Sequence, residues 1–279
     1  MRIVFRDKHG HRLVGIATAI RPGWPAVVIV HGLTSQKGRY KPWATALRAK
    51  GIGSLRFDLY GHGESDGALA KMTPSELLAN AEAAIRELKK RGAGAIGFAG
   101  GSLGGMVSLL AAAKHDDVRA LALFAPASRV PWANRNDPCV RAGRGDPRCT
   151  HAHRSLSRAF LRDAKRMRVT ARCRSVRQPM LVFHGTRDES VPFRHSRALA
   201  KATGAKLTLL PGTSHVLRKQ PKAVQRRVFR EQADFFFHEL FDDEPLSAAE
   251  KKALREARAD LRAGRTIPHA ELKKQLGLS

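Results

Sequence analysis

Cysteine is scarce in this chain, three in 279 residues, which excludes the disulfide framework on which small secreted scaffolds depend. Aromatic residues amount to 6%, with only two tyrosines. The basic stretches near 86–91, 129–177 and 218–230 therefore lack the interleaved rings on which single-stranded nucleic acid stacks. Acidic residues are outnumbered, 24 against 51 Lys and Arg, leaving a formal charge of +27. Such a field attracts nucleic acid, anionic membrane surfaces and acidic substrates. Spread along the chain as it is, it reads as a solvated surface, and no specific nucleic-acid partner is expected. No uncharged run is long enough to cross a bilayer, and Met1-Arg2-Ile3-Val4-Phe5-Arg6-Asp7-Lys8 contains no apolar segment of signal-peptide length. The expectation is a cytoplasmic protein with reduced thiols. In an oxidising interior Cys139 and Cys149 are near enough in sequence to pair, leaving Cys173 alone.

What is present is alternation. Hydrophobic residues make up 43% of the chain, enough for one large core. The segments 3–6 and 12–19, joined at His9-Gly10, read as an antiparallel hairpin. From Ala26 onward apolar strands alternate with helical stretches at 43–50, 75–91, 103–115, 193–202 and 224–240. That pattern predicts an α/β fold with a mostly parallel central sheet and helices on both faces. Ligands bind such sheets at the carboxyl ends of the strands.

The apolar run Ala95-Ile96-Gly97-Phe98-Ala99 leads into Gly100-Gly101-Ser102-Leu103-Gly104-Gly105. A serine is thus set where a strand must turn abruptly into a helix, the setting of a nucleophile elbow. A serine hydroxyl is a weak nucleophile at neutral pH and needs a base and an orienting acid. Asp188 follows the strand-like Pro179-Met180-Leu181-Val182-Phe183, and His215 follows the strand-like 205–210. In this reading Ser102 attacks an acyl carbon, His215 moves the proton and Asp188 orients the imidazole. The oxyanion donors expected are the backbone amides of Leu103, at the helix start, and Leu33, after the buried strand ending Val30-His31-Gly32. His31 and His62 read as loop-packing residues and Glu189 as a solvated neighbour. Asp58 ends a strand too, but Tyr60-Gly61-His62-Gly63 after it looks like a turn-stabilising element, so it is the lesser candidate for the acid.

His31-Gly32-Leu33-Thr34, Leu55-Arg56-Phe57-Asp58-Leu59-Tyr60-Gly61-His62-Gly63-Glu64-Ser65, the elbow, His184-Gly185-Thr186-Arg187-Asp188 and Gly212-Thr213-Ser214-His215 fall in an order that resembles the serine α/β-hydrolases. Within them the likeness is to feruloyl and cinnamoyl esterases and to neighbouring serine-aminopeptidase-like hydrolases, whose first hairpin Asp7 to Gly15 also fits. It covers roughly residues 1 to 240. The resemblance implies a carboxylesterase-type serine hydrolase with no metal or organic cofactor, acting on carboxylic esters of small to medium size, hydroxycinnamate esters among them. Aminopeptidase-like or thioester hydrolysis at the same site is the alternative within enzymes. A non-catalytic hydrolase-fold binding protein, acting through its basic surface or its tail, is the alternative outside them.

The hydrolase core is expected over 1–126 and 179–242, with a lid inserted at 127–178. The insertion is too long for a simple loop; 155–168 is helix-compatible and basic, and its arginines suggest substrates carrying a carboxylate or phosphate. Cys139, Cys149, His151 and His153 offer zinc-type ligands, but at a spacing that matches no familiar zinc knuckle, so no metal is expected. After the acidic break Asp242-Asp243-Glu244-Pro245, residues 245–279 read as a helical extension beginning with a Ser247/Glu250 capping box. It suits packing on the domain, homodimerisation or capture of a protein partner.

Overall fold

The computed structural model describes residues 1–130 and 156–241. Eight strands form one sheet in the spatial order β1-β2-β4-β3-β5-β6-β7-β8. Strand β1 (Arg2–Arg6) alternates exposed and buried residues, as an edge strand covered on one face does. It pairs antiparallel with β2 (Arg12–Thr18), which pairs antiparallel with β4 (Gly53–Phe57). All further pairings are parallel, through β3 (Ala26–Val30), β5 (Ile96–Gly101), β6 (Val118–Phe124), β7 (Met180–Gly185) and β8 (Lys206–Leu210). Strands β3, β4 and β7 are buried throughout, the signature of a sheet covered on both faces.

The crossovers are helical. Helices α1 (Lys41–Arg48) and α7 (Lys222–Phe241) cover one face, where Trp43, Leu47 and Phe236 pack on Val27, Ile29, Ala99 and Ala122. On the other face α2 (Pro74–Lys90) and α3 (Leu103–Ala112) pack on Val28, Val30, Leu55, Phe98 and Leu121. Successive strand residues point to opposite faces, so Val27/Val28 and Ile29/Val30 divide between the two cores. Helix α2 starts at Pro74, with the Glu76 N–H donating to Thr73 Oγ1 at 3.2 Å, an N-cap with proline at the first helical position.

The described part of the insertion forms α4 (Arg158–Arg166) and α5 (Val169–Arg174). Helix α4 docks on α2: Asp163 accepts from the Ser75 N–H at 2.7 Å and Oγ at 3.0 Å, while Arg166 pairs with it at 2.6 Å. Phe160, Ala164, Val169, Cys173 and Val176 join the larger core. The basic helix expected over 155–168 thus ends at Arg166. Arg168, in the left-handed region at φ 52°, redirects the chain into α5, a helix that the sequence reading lacked. Burial pushes the free Cys173 thiol up to about 12, so it is inert. The rest of the expected lid, with Cys139, Cys149, His151 and His153, and the expected extension over 245–279 lie outside the described residues. Among the described residues no helix is long and apolar enough to cross a membrane.

Candidate active site

Strand β5 turns into α3 through Ser102, whose φ of 54° and ψ of −119° only a tightly supported backbone sustains. The support is visible on each side. The Ser102 N–H donates to Phe124 O at 3.0 Å, and its carbonyl accepts from Ala127 N at 3.0 Å and Met106 N at 3.2 Å. A Cβ at Gly104 would come closer than 3.0 Å to the carbonyls of Val30 and His31, and one at Gly100 would meet the carbonyl of Gly104. The helix can therefore lie against β3 only with glycine at these positions.

The loop after β3 is shaped by two histidines. His31, buried, donates from Nδ1 to Gly32 O at 2.8 Å and accepts at Nε2 from the Leu59 N–H at 3.0 Å. Burial, with His62 alongside, holds it neutral at about 3. His62, also lowered by burial, accepts from the Thr34 N–H at 3.3 Å and donates to Tyr60 O at 3.0 Å. Both act as loop-packing residues, as expected. The Tyr40 hydroxyl accepts from the Gly32 N–H at 3.1 Å. Among the described residues the N–H groups of Leu33 and Leu103 have no protein acceptor. These are the two amides expected to bind an oxyanion.

Asp188 and His215 are brought together. His215 Nδ1 donates to Asp188 Oδ2 at 2.7 Å, the tautomer that leaves Nε2 free to take a proton. The two loops are laced by backbone bonds from Thr186 N to Leu210 O and from Arg187 N to Thr213 O, each 3.0 Å. Asp188 Oδ1 accepts from the N–H groups of Ser190 at 2.9 Å and Val191 at 2.8 Å. Its side chain has no solvent exposure. Burial alone would raise the carboxyl, but bonds from His184, His215 and Val191 outweigh it and hold it at about 2. Ser102 stands at the end of β5, two strands from β7, and among the described residues its hydroxyl makes no hydrogen bond to His215. Hydrogen bonds of this kind are often long in free enzymes and tighten on substrate binding.

His184 was not singled out from the sequence. Its ring is fully buried; Nε2 lies 2.8 Å from Val191 O and 3.1 Å from Asp188 Oδ2, and Nδ1 lies 2.7 Å from Ser196 Oγ. Two acceptors at Nε2 require a proton there, while Nδ1 meets the Ser196 hydroxyl. His184 is a positioning residue for Asp188. The signal was a polar residue inside an apolar strand four positions before Asp188. Tyr40 gave no signal at all.

Asp58, the lesser candidate for the acid, is fully buried and committed elsewhere. It accepts from the Lys37 N–H at 2.7 Å, Lys37 Nζ at 2.5 Å and the Glu64 N–H at 3.0 Å, organising the turn after β4. Glu189 is exposed. Asp7, His11 and Glu76 form a further cluster, with His11 Nδ1 at 3.1 and 3.0 Å from the two carboxylates and Asn80 Nδ2 donating to Asp7 at 2.9 Å. These hydrogen bonds pin the hairpin to α2.

Comparison with known proteins agrees with this architecture. A family model described as serine aminopeptidase, S33 (Hydrolase_4) matches residues 24–142. Est1E from Butyrivibrio proteoclasticus, solved with ferulic acid bound, is 27% identical with a TM-score of 0.69, over 85% of this chain and 99% of that one. A monoacylglycerol lipase from Paleococcus ferrophilus is 22% identical with a TM-score of 0.62, over 81% of this chain and 99% of that one. The esterase Pf2001 of Pyrococcus furiosus, 17% identical with a TM-score of 0.64 over 86% and 92%, shares the fold.

Proposed function

The chain belongs to the α/β-hydrolase superfamily, and from that premise we propose that it is a serine esterase acting through Ser102, His215 and Asp188. The observation that carries the reading is the 2.7 Å bond from His215 Nδ1 to the solvent-free side chain of Asp188, in the same carboxyl-edge loops as a strained Ser102. Ser102 Oγ attacks the ester carbonyl while His215 Nε2 takes its proton. The N–H groups of Leu33 and Leu103 receive the oxyanion, each worth on the order of 3 kcal/mol of barrier. His215 then protonates the leaving alcohol, and water attacks the acyl-enzyme by the same route in reverse. Carboxylic esters of small to medium size are the proposed substrates. The ferulic acid bound to Est1E supports hydroxycinnamate esters as the first class to assay.

A fluorophosphonate probe followed by mapping of the labelled peptide tests the reading. Labelling confined to Ser102 and lost in Ser102→Ala is expected. Folded protein that takes no label would overturn it in favour of a non-catalytic binding role. The serine-aminopeptidase model match supports a second reading, peptide hydrolysis at the same site. Cleavage of aminoacyl p-nitroanilides in preference to p-nitrophenyl esters would favour it.

A further inference from the structure

At the same edge of the sheet lies a pocket of 170 Å³ lined by Ser128, Arg129, Arg174, Arg194, His195 and Ala198. Three independent segments converge on it: the chain after β6, the last residue of α5 and the first turn of α6 (Arg194–Thr203). No carboxylate lines it, and among the described residues none of the three guanidinium groups has an ion-pair partner. Helix α6 adds positive potential of its own. It begins with no side-chain cap and no acidic residue in its first turn, so no negative side chain there offsets its dipole, although the His195 N–H donates to Pro192 O at 2.9 Å. His195 is 6% exposed, and its Nδ1 is buried without a hydrogen-bond partner. Burial first, then Arg194 and Arg129, hold that imidazole neutral at about 4.

An arrangement of this kind costs stability unless something negative completes it, because like charges around a concave site repel and a buried ring nitrogen is left unsatisfied. We propose that this pocket is an anion subsite that takes a carboxylate or phosphate group carried by the ester substrate. Its volume admits such a group with some of its water, and guanidinium forks match the planar or tetrahedral oxygens of these anions. The pocket is built from the same supports as the reaction site. Ser128 follows the residue whose N–H holds the Ser102 carbonyl, at 3.0 Å, and His195 precedes Ser196, which meets His184 and through it Asp188. The inference rests on the esterase reading for the identity of the substrate, but the pocket itself can be tested without turnover.

The test uses the full chain, p-nitrophenyl hydrogen glutarate with its free terminal carboxylate, and the neutral p-nitrophenyl pentanoate. Arg174 and Arg194 are exposed, so Arg174→Gln, Arg194→Gln and the double variant leave the core intact. Arg226→Gln, an exposed residue of α7, controls for the general positive field. The ratio of kcat/KM for the anionic over the neutral ester should fall about tenfold in each pocket variant, the loss of one charge-assisted hydrogen bond, and stay unchanged in Arg226→Gln. An equal ratio in all proteins, with the neutral ester still hydrolysed, overturns the subsite and leaves the esterase reading standing. If neither ester is hydrolysed, the esterase reading fails, and calorimetric titration with glutarate decides the pocket. Binding that disappears in the double variant supports it, and binding that is absent or unaffected overturns it. Inorganic phosphate should inhibit the anionic ester alone. Phosphate that instead changes turnover of the neutral ester would make the pocket an effector site and overturn the substrate assignment.

Discussion

Replacing His184 by leucine removes the donor that Asp188 and Val191 share. The ring is fully buried, so nothing from solvent substitutes for it. The Val191 carbonyl and the Ser196 hydroxyl lose partners at 2.8 and 2.7 Å, and the carboxylate loses a bond at 3.1 Å. At about 1 kcal/mol for each bond broken, the expected loss is roughly 3 kcal/mol, or a fall in Tm of roughly 6–12 °C for a chain of this size. The acid dependence carries the more specific signature. Asp188 is held at about 2 against an ordinary 3.8, a difference worth about 2 kcal/mol. A depressed carboxylate stabilises the fold above its unfolded value, and that contribution drains away as pH falls from 3.8 towards about 2. His184 is foremost among the groups lowering Asp188, so in His184→Leu the acid loss becomes smaller and is complete at a higher pH. With Asp188 less firmly held, kcat on a neutral ester should fall about tenfold while KM changes little, a barrier increase near 1.4 kcal/mol. His184→Gln, whose amide can return a donor near the position of Nε2, should recover part of both effects. Thermal unfolding followed from pH 7 down to pH ~2, with ester kinetics alongside, makes the measurement. A leucine variant with the Tm and acid profile of the parent, or a glutamine variant no better than leucine, refutes the positioning role.

Gly104→Ala would press a methyl group onto the carbonyls of Val30 and His31. Forcing the helix away from β3 should cost at least about 2 kcal/mol. Fluorophosphonate labelling of Ser102 should drop with it; normal labelling at normal Tm would contradict the packing argument. Lys37→Met removes the ammonium that meets Asp58 and Glu64, each at 2.5 Å. Asp58 would remain buried without its counter-charge, at a cost of about 3 kcal/mol read from the urea midpoint. Arg56 lies 7% exposed on β4, with Nε and Nη1 lacking any partner, and burial lowers its pKa. Arg56→Met keeps most of the aliphatic stem without the charge and should raise stability by about 1 kcal/mol; a lower Tm would show that the guanidinium is compensated after all.

Some of this protein follows from local chain chemistry. Runs such as Ala26-Val27-Val28-Ile29-Val30, buried on both faces, are legible as parallel strands because nothing polar interrupts them. The Gly-Gly-Ser-Leu-Gly-Gly turn is legible because only small residues permit the backbone that Ser102 adopts, and the places of Asp188 and His215 are legible because each follows a strand end. Helix boundaries and the neighbour order β2-β4-β3-β5 were not, since strand order depends on which faces find each other across the chain. The same is true of every contact between side chains remote in sequence. Nothing local announces that Asp163 would meet Ser75, that Lys37 would claim Asp58, or that Val191 and Asp188 would share one imidazole proton. Sequence alone determined the fold class and nominated the proposed reacting groups, because periodicity and backbone strain are properties of short segments. Tertiary structure alone decided which carboxylate is solvent-free and paired with a histidine, and which of many arginines converge on one pocket, because burial and electrostatic convergence exist only once distant segments are packed.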